Sequence, residues 1–390
     1  MKYCFSAVSA KSGGAATYLA NLVKDLRSGS DRYVLLVPTG TLERLATCRA
    51  DVEITETDIA FKSPLRRLVW DQIKLRGLLK RRKIDLLVST SDFGLFFSPC
   101  PQILLVRNSL FFSKPYREFI LPKKRLAARL DYWLRHLLVR ASIWAADLVV
   151  MASAGMLAQV ISDFPATERK AVVNTFGAPL EKFSGQRTET TDRMRRMGAP
   201  LRLLYVSEYA DYKNLGTLLK ALMEFNRDHA NKVTATVTMD PGSFKNFDSV
   251  TKEEDLQLAM SADLAGVVEF VGGVPYERIE QLYRQSDIFV FPSMAESFGH
   301  PLVEAMASGL PVIASDIPVH REVCGNAAMY FEPSDFRALA ACIRKLVQDA
   351  DVRRVLGDKG RQNVGSLLSW RDHVRRLEAL MREVALRGRV

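Results

Sequence analysis

The sequence predicts an α/β protein of two parallel-sheet domains, and three observations carry that expectation. A length of 390 residues suits two domains with a core each. The chain opens as strand, glycine loop and helix, the start of a Rossmann-like domain. Lys2 to Val8 is an apolar run, Ser9 to Gly14 holds Gly13 and Gly14, and Leu19, Leu22, Val23 and Leu26 recur at helical spacing. Far downstream, Asp287 to Ser315 packs a strand, an acidic loop, a helix start and a second strand into one short stretch.

The elements follow in order. Residues 1–183 form the expected first domain. Its further strands are Tyr33–Val37, Leu86–Ser89, Gln102–Val106 and Asp147–Met151, apolar runs of the kind buried in parallel sheets. Helical patterns cover Leu65–Lys83 and Lys123–Ala145, Ser153 begins a short helix, and Ala171–Gly177 closes the domain. The polar stretch 184–200 reads as a linker. The second domain, 201–370, starts with strand Leu201–Val206. Helix 214–228, strands 233–239 and 267–271, and helix 275–286 follow. Asp335 to Arg387 is largely helical, and internal repeats are absent.

The stretch around Glu296 carries the chemistry. Asp287 to Phe291 is a buried strand, and ligands of open α/β sheets bind beyond such strand ends. Pro301 suits the first turn of a helix. Gly309 ends that helix, Pro311 prevents a restart, and Leu310 to Ala314 is the next strand. Amides of Phe298, Gly299 and His300 at the positive helix end suit a diphosphate. Glu304 is expected in the first turn, where the dipole favours a carboxylate. Singly, Glu296 reads better as a surface acid and Glu304 as a first-turn acid; their combination with the glycines, prolines and strands points to function.

Composition narrows the class. With 48% hydrophobic and 25% charged residues the chain is ordinary for a globular protein. Met1 to Phe5 leads directly into a strand, so we expect no secretory signal. Phe93 to Val106 is too short for a bilayer span and contains Pro99 and Pro101. Five cysteines without C-x-x-C spacing suit reduced thiols in a cytoplasm. Charge is uneven: residues 61 to 140 carry 18 Lys and Arg against 5 Asp and Glu, leaving the rest of a +11 chain about neutral. Such a surface suits anionic lipid, phosphorylated carriers or nucleic acid. Nucleic acid is not expected, because the aromatics form no stacking platform. Phe111, Phe112, Lys114, Arg117, Lys123, Lys124 and Arg125 interleave aromatics with cations, so this segment either meets a membrane and its acceptor or packs its aromatics inward.

The stretch 291–315, with Glu296 and Glu304 in E-x7-E spacing, closely resembles the signature of the retaining glycosyltransferases of family four. The resemblance extends over essentially the whole chain. It implies the GT-B fold: two Rossmann-like domains facing across a cleft, with a C-terminal helix, 371–390, crossing back to the first. It implies a nucleoside-diphosphate sugar donor and a glycan or lipid-linked acceptor, with no cofactor and no metal. The one D-x-D pair, Asp349 and Asp351, lies in the helical tail rather than after a strand.

By the same resemblance Glu304 binds the ribose and Glu296 orients the sugar. Ser297 to His300 and Lys213 meet the diphosphate, Gly13 and Gly14 face the donor phosphate, and Val274 touches the base. Asn108 stands where many members place a His-Asp pair, giving Glu296, Lys213 and Asn108 as catalytic candidates. Plain turn roles for Asn108 and Val274, and a capping role for His300, fit equally well. Glu208 occupies the usual Arg position, which leaves donor and turnover open. Sugar transfer in lipopolysaccharide, O-antigen or exopolysaccharide assembly, at the inner face of the cytoplasmic membrane, is the expected function. A catalytically weak relative that binds membrane or glycolipid is the alternative. His320 and Glu322 spell H-x-E without the cysteines of a zinc deaminase, so they read as a helix start.

Overall fold

A computed structural model describes residues 1–10, 13–27, 29–41, 51–61, 64–178, 180–183, 199–228, 233–365 and 369–388. Most of the expected linker, 184–198, lies outside them. The chain divides into two compact units. One comprises Met1–Phe112, Leu130–Gly177 and Leu368–Val390, the other Ser113–Arg129 and Ala178–Leu367.

The first unit is built on a parallel sheet of seven strands: β1 (Lys2–Ser6), β2 (Arg32–Pro38), β3 (Val52–Thr57), β4 (Leu86–Ser89), β5 (Gln102–Val106), β6 (Leu148–Met151) and β7 (Ala171–Val173). Their order is β3-β2-β1-β4-β5-β6-β7. The central strands β1, β4 and β5 are apolar and buried along nearly their whole length, as strands covered on both faces must be. Cys4, Val34, Leu36, Leu79 and Leu87 share one core cluster. The edge strand β3 alternates, VEITET, and is half-buried, so it lacked the continuous apolar run that marks the others.

The second unit repeats the plan with six parallel strands: β8 (Leu201–Tyr205), β9 (Val233–Val237), β10 (Val268–Phe270), β11 (Ile288–Phe291), β12 (Val312–Ser315) and β13 (Ala328–Phe331), ordered β10-β9-β8-β11-β12-β13. In each unit the order reverses between the first and fourth strands, at β1/β4 and at β8/β11. That switch point opens a crevice at the strand carboxyl ends, where ligands of doubly wound sheets bind.

Two helical expectations need correction. The pattern over 65–83 is not one helix. It runs Pro64–Val69, then a π-helical turn Trp70–Leu75, then Arg76–Arg81. One inserted residue per turn keeps the apolar face while shifting the hydrogen bonds, which periodicity cannot reveal. The segment 113–129 was read with the first domain but packs with the second unit. There Ser113 Oγ donates to Met294 O at 2.7 Å, and Lys124 Nζ lies 2.7 Å from Asp211 Oδ2.

The C-terminal helix Trp370–Arg387 belongs to the first unit. Ser369 and Asp372 cap its start reciprocally. Glu378 accepts from Tyr33 Oη at 3.0 Å and from the Arg27 amide at 2.9 Å. His373 bridges the Thr175 carbonyl and the Tyr18 hydroxyl at 3.0 and 3.1 Å. Gly177 passes so close that a Cβ there would lie 2.2 Å from the Trp370 nitrogen.

Candidate active site

The second unit places two loops at its switch point. After β8 the chain runs through Ser207 and Glu208 to a short turn, Asp211–Lys213, and then Asn214. After β11 it runs through Ser293 to Gly299 into the helix His300–Ala307. The loops are stitched by backbone and side chain. The Met294 amide donates to Tyr212 O at 2.8 Å, and Asn214, in the left-handed region at φ 63°, donates through Nδ2 to Pro292 O at 3.0 Å. Asn214 precedes the helix Leu215–Asp228, and its Oδ1 accepts from Thr217 Oγ1 at 2.7 Å.

This stitching brings Lys213 Nζ to 2.5 Å from Glu296 Oε1, with both side chains mostly buried. Burial is the largest single influence and would pull the Lys213 pKa down, but Glu296, with Tyr212 and Glu208 adding to it, makes the net shift upward. Lys213 also stands over the Tyr212 and Phe291 rings at 5.1 and 5.6 Å. Glu208 is exposed and adds to the negative field at Lys213.

Gly299, at φ 83°, turns the chain into the helix His300–Ala307, with Pro301 in its first turn as the sequence implied. Phe298 is buried with the His300 ring edge-on at 5.1 Å, while Ser297 and His300 are half-buried. Glu304 lies in the second turn rather than the first, which carries no acid. The helix dipole is therefore not what holds it. Two tyrosines hold it instead: Tyr276 Oη donates to Oε1 at 3.1 Å and Tyr283 Oη to Oε2 at 2.9 Å. Burial raises the Glu304 pKa to about 7 despite both hydrogen bonds and Lys182 nearby. Tyr276 continues the loop Gly272–Pro275, where Gly272 takes φ 71° and Val274 is half-buried. Lys182 Nζ donates to Tyr276 O at 2.5 Å and lies 4.0 Å above its ring.

His320 was read only as a helix start, and it does lie in the helix Pro318–Cys324. It is also fully buried, with Nδ1 2.9 Å from Ser315 O. A carbonyl can only accept, so Nδ1 carries the proton. Nε2, an acceptor in that tautomer, has no hydrogen-bond partner among the described residues. Burial pushes its pKa down to about 4, while Glu296 raises it and Lys213 lowers it in part, which places His320 in the field of that ion pair. No sequence motif signalled this, nor the two tyrosines on Glu304.

A cavity of about 140 Å³ lies in this unit among Ile120, Asp211, Asn214, Thr217, Asp255 and Met294. Neither Glu296 nor Glu304 lines it. The carboxylates at the switch point, rather than this cavity, are the candidate site.

In the first unit Gly13 opens the helix Gly13–Asp25, and the Gly14 carbonyl accepts from Arg107 Nη2 at 3.2 Å. Asn108 follows Arg107, and its Oδ1 accepts from the Leu110 amide, capping a 3-10 turn. The turn reading therefore accounts for its side chain. Buried Asp92 accepts from the amides of Arg107 and Asn108 at 2.7 and 2.8 Å. The Arg107 guanidinium lies 4.3 Å over the Tyr18 ring.

The aromatic–cationic segment needs correction. Phe111 and Phe112 are buried, Phe111 against Tyr132 and Phe112 against His136 and Phe164. Lys124 is committed to Asp211. Lys114, Lys123 and Arg125 are exposed, and Arg117 is half-buried. The aromatics pack inward because their spacing fits a core turn as well as a membrane face.

The two strand orders and the switch-point carboxylates define a GT-B protein of two Rossmann-like domains. Among solved structures the chain is similar to sucrose-phosphate synthase from Thermosynechococcus elongatus, with a TM-score of 0.75, 18% identity, and 98% of this chain and 99% of that one covered. Residues 187–363, somewhat under half of the chain, match the family described as glycosyl transferases group 1. It is 36% identical over 121 residues to the O-antigen chain mannosyltransferase RfbU of Salmonella typhimurium, covering 29% of this chain and 34% of that protein. It is 23% identical over 351 residues to the capsular polysaccharide biosynthesis glycosyltransferase CapM of Staphylococcus aureus, covering 85% and 89%. The match to RfbU thus spans about a third of that relative's length.

Proposed function

We propose that this protein is a retaining glycosyltransferase that moves a sugar from a nucleoside-diphosphate sugar to a glycan or glycolipid acceptor. The assembly of O-antigen or capsular polysaccharide is the context that the names of RfbU and CapM support. The observation that carries the reading is the Lys213–Glu296 pair beside the helix that bears Glu304, all at one switch point.

Each group has a role that its chemistry fits. Glu304, oriented by Tyr276 and Tyr283, accepts from the ribose hydroxyls. Lys213 and the N-terminal end of the His300–Ala307 helix meet the charge that develops on the departing diphosphate. Lys213 then exchanges part of its contact with Glu296 for phosphate, which frees Glu296 to orient the transferred sugar. In a retaining mechanism the leaving phosphate itself can take the acceptor proton, so no metal and no histidine base is required. Gly13 and Gly14 present backbone to the donor phosphate. Because Asn108 already caps a turn, it orients neighbouring backbone rather than acting as a base. The proposed place of action is the inner face of the cytoplasmic membrane. Among the described residues no helix is long and apolar enough to cross a membrane.

The exposed Glu208 favours a second reading, a catalytically weak relative that binds glycolipid. A thermal-shift panel with UDP, GDP, ADP, dTDP and CMP, with and without Mg2+, separates the two, because a ligand of the native state raises the midpoint. Metal-independent stabilisation by one nucleoside diphosphate, lost in Glu304→Ala, is the expected result. No shift with any nucleotide supports the second reading.

A further inference from the structure

The helix Leu126–Ala145 has two apolar faces, and only one is packed. Tyr132, Val139, Ser142 and Ile143 are buried along one side. Leu130, Trp133, Leu134, Leu137 and Trp144 recur at offsets of three, four, seven and fourteen, which at 3.6 residues per turn is a single stripe on the opposite side. Their exposure runs from 47% at Trp133 to 77% at Trp144. A surface helix of a globular protein normally turns charge outward, and a helix apolar on both sides is normally enclosed. This one is open to solvent: among the described residues no other element covers its outer stripe.

Charge decides what the partner is. Arg129 and Arg140 are exposed and run along one flank of the stripe, and Arg125 precedes the helix. The surrounding segment 61–140 holds the chain's entire excess of positive charge. Paired tryptophans within a leucine stripe, bordered by arginines whose stems can lie along apolar surface, match the headgroup–acyl boundary of an anionic bilayer. A second copy packed antiparallel on this face would set these arginines beside one another. Arg129, Asp131, Arg135 and Arg140 also mean that the 20-residue helix cannot span a bilayer and must lie in its surface.

We infer that the outer face of the Leu126–Ala145 helix docks on an anionic lipid surface, with Leu130, Leu134, Leu137 and the two tryptophans entering the interface and Arg129 and Arg140 meeting headgroups. This replaces the expected segment 111–125, in which Phe111, Phe112 and Tyr116 are buried, and it stands apart from the sugar-transfer reading because lipid binding needs no turnover.

Flotation of the whole protein with phosphatidylcholine vesicles, with and without phosphatidylglycerol, tests it. The expected result is binding to the anionic vesicles, weakened by salt, with a blue shift of tryptophan emission that is lost in Trp133→Phe/Trp144→Phe. Leu134→Asp/Leu137→Asp, at exposed positions, should lower the bound fraction about tenfold while leaving the thermal midpoint unchanged. Arg129→Gln/Arg140→Gln should lower it about tenfold on anionic vesicles only. Absence of binding overturns the inference, and so does binding that neither pair of substitutions weakens. A dimer in sedimentation equilibrium that Leu134→Asp/Leu137→Asp dissolves also overturns it, assigning the stripe to a second copy.

Discussion

Lys213 and Glu296, 83 residues apart in sequence, form a 2.5 Å ion pair with side chains only 16% and 13% exposed. Removing one partner strands the other in a largely dry site. Lys213→Met should therefore lower stability by about 1–3 kcal/mol. It should lower kcat by about a hundredfold or more, because the developing diphosphate charge loses its cation. Urea unfolding and steady-state kinetics on the same preparation separate the two effects. A catalytic loss no larger than the loss of folded protein contradicts the role.

Glu304 gives a pH signature. Burial raises its pKa to about 7, above the ordinary 4.5, so between these values the folded chain binds more protons than the unfolded one. Its contribution, about 3 kcal/mol, is full below about pH 4.5 and is lost as pH rises through 7. Nucleotide binding should move the other way, strengthening as the carboxylate ionises. Titration calorimetry between about pH 6 and 8 should show this in the wild type and a flat, weaker profile in Glu304→Gln.

Tyr283→Phe removes one of the two donors on Glu304 without changing shape. The carboxylate is then harder to ionise, and nucleotide affinity at neutral pH should fall about three- to tenfold, with recovery at higher pH. A loss that does not recover at higher pH would show that Tyr283 acts through packing alone.

Two glycines should respond unequally. Gly309 ends the His300–Ala307 helix at φ 71°, and the atoms nearest its added Cβ belong to the Arg361 guanidinium, the end of a flexible side chain. Gly309→Ala should cost about 1–2 kcal/mol, mainly from the backbone conformation. At Gly177 the added Cβ meets Trp370 and Ser369 backbone, which cannot swing aside. Gly177→Ala should cost more and expose the C-terminal helix to limited proteolysis.

Much of the fold was legible because buried parallel strands write themselves as apolar runs, as at Leu86–Ser89 and Gln102–Val106, which match to the residue. The edge strands Val52–Thr57 and Ala328–Phe331 were missed because half-buried strands are short or alternate with polar residues. The signature loop could be placed from Pro301, Gly309 and Pro311, since each has a backbone reason to be where it is. Its partners could not. Tyr276 and Tyr283 reach Glu304 across 28 and 21 residues, and His320 meets the ion pair only through the sheet's strand order. Phe111 and Phe112 misled because an aromatic–basic run looks alike whether it faces lipid or core.

The most direct measurement is release of nucleoside diphosphate from a panel of sugar nucleotides by the purified protein, in the presence of lipid-linked glycan acceptors, with NMR assignment of the product's anomeric configuration. The account predicts turnover with one donor, net retention of configuration, and loss of turnover in Glu296→Ala while nucleotide binding persists. Inversion at the anomeric carbon, or turnover undiminished by Glu296→Ala, would contradict it.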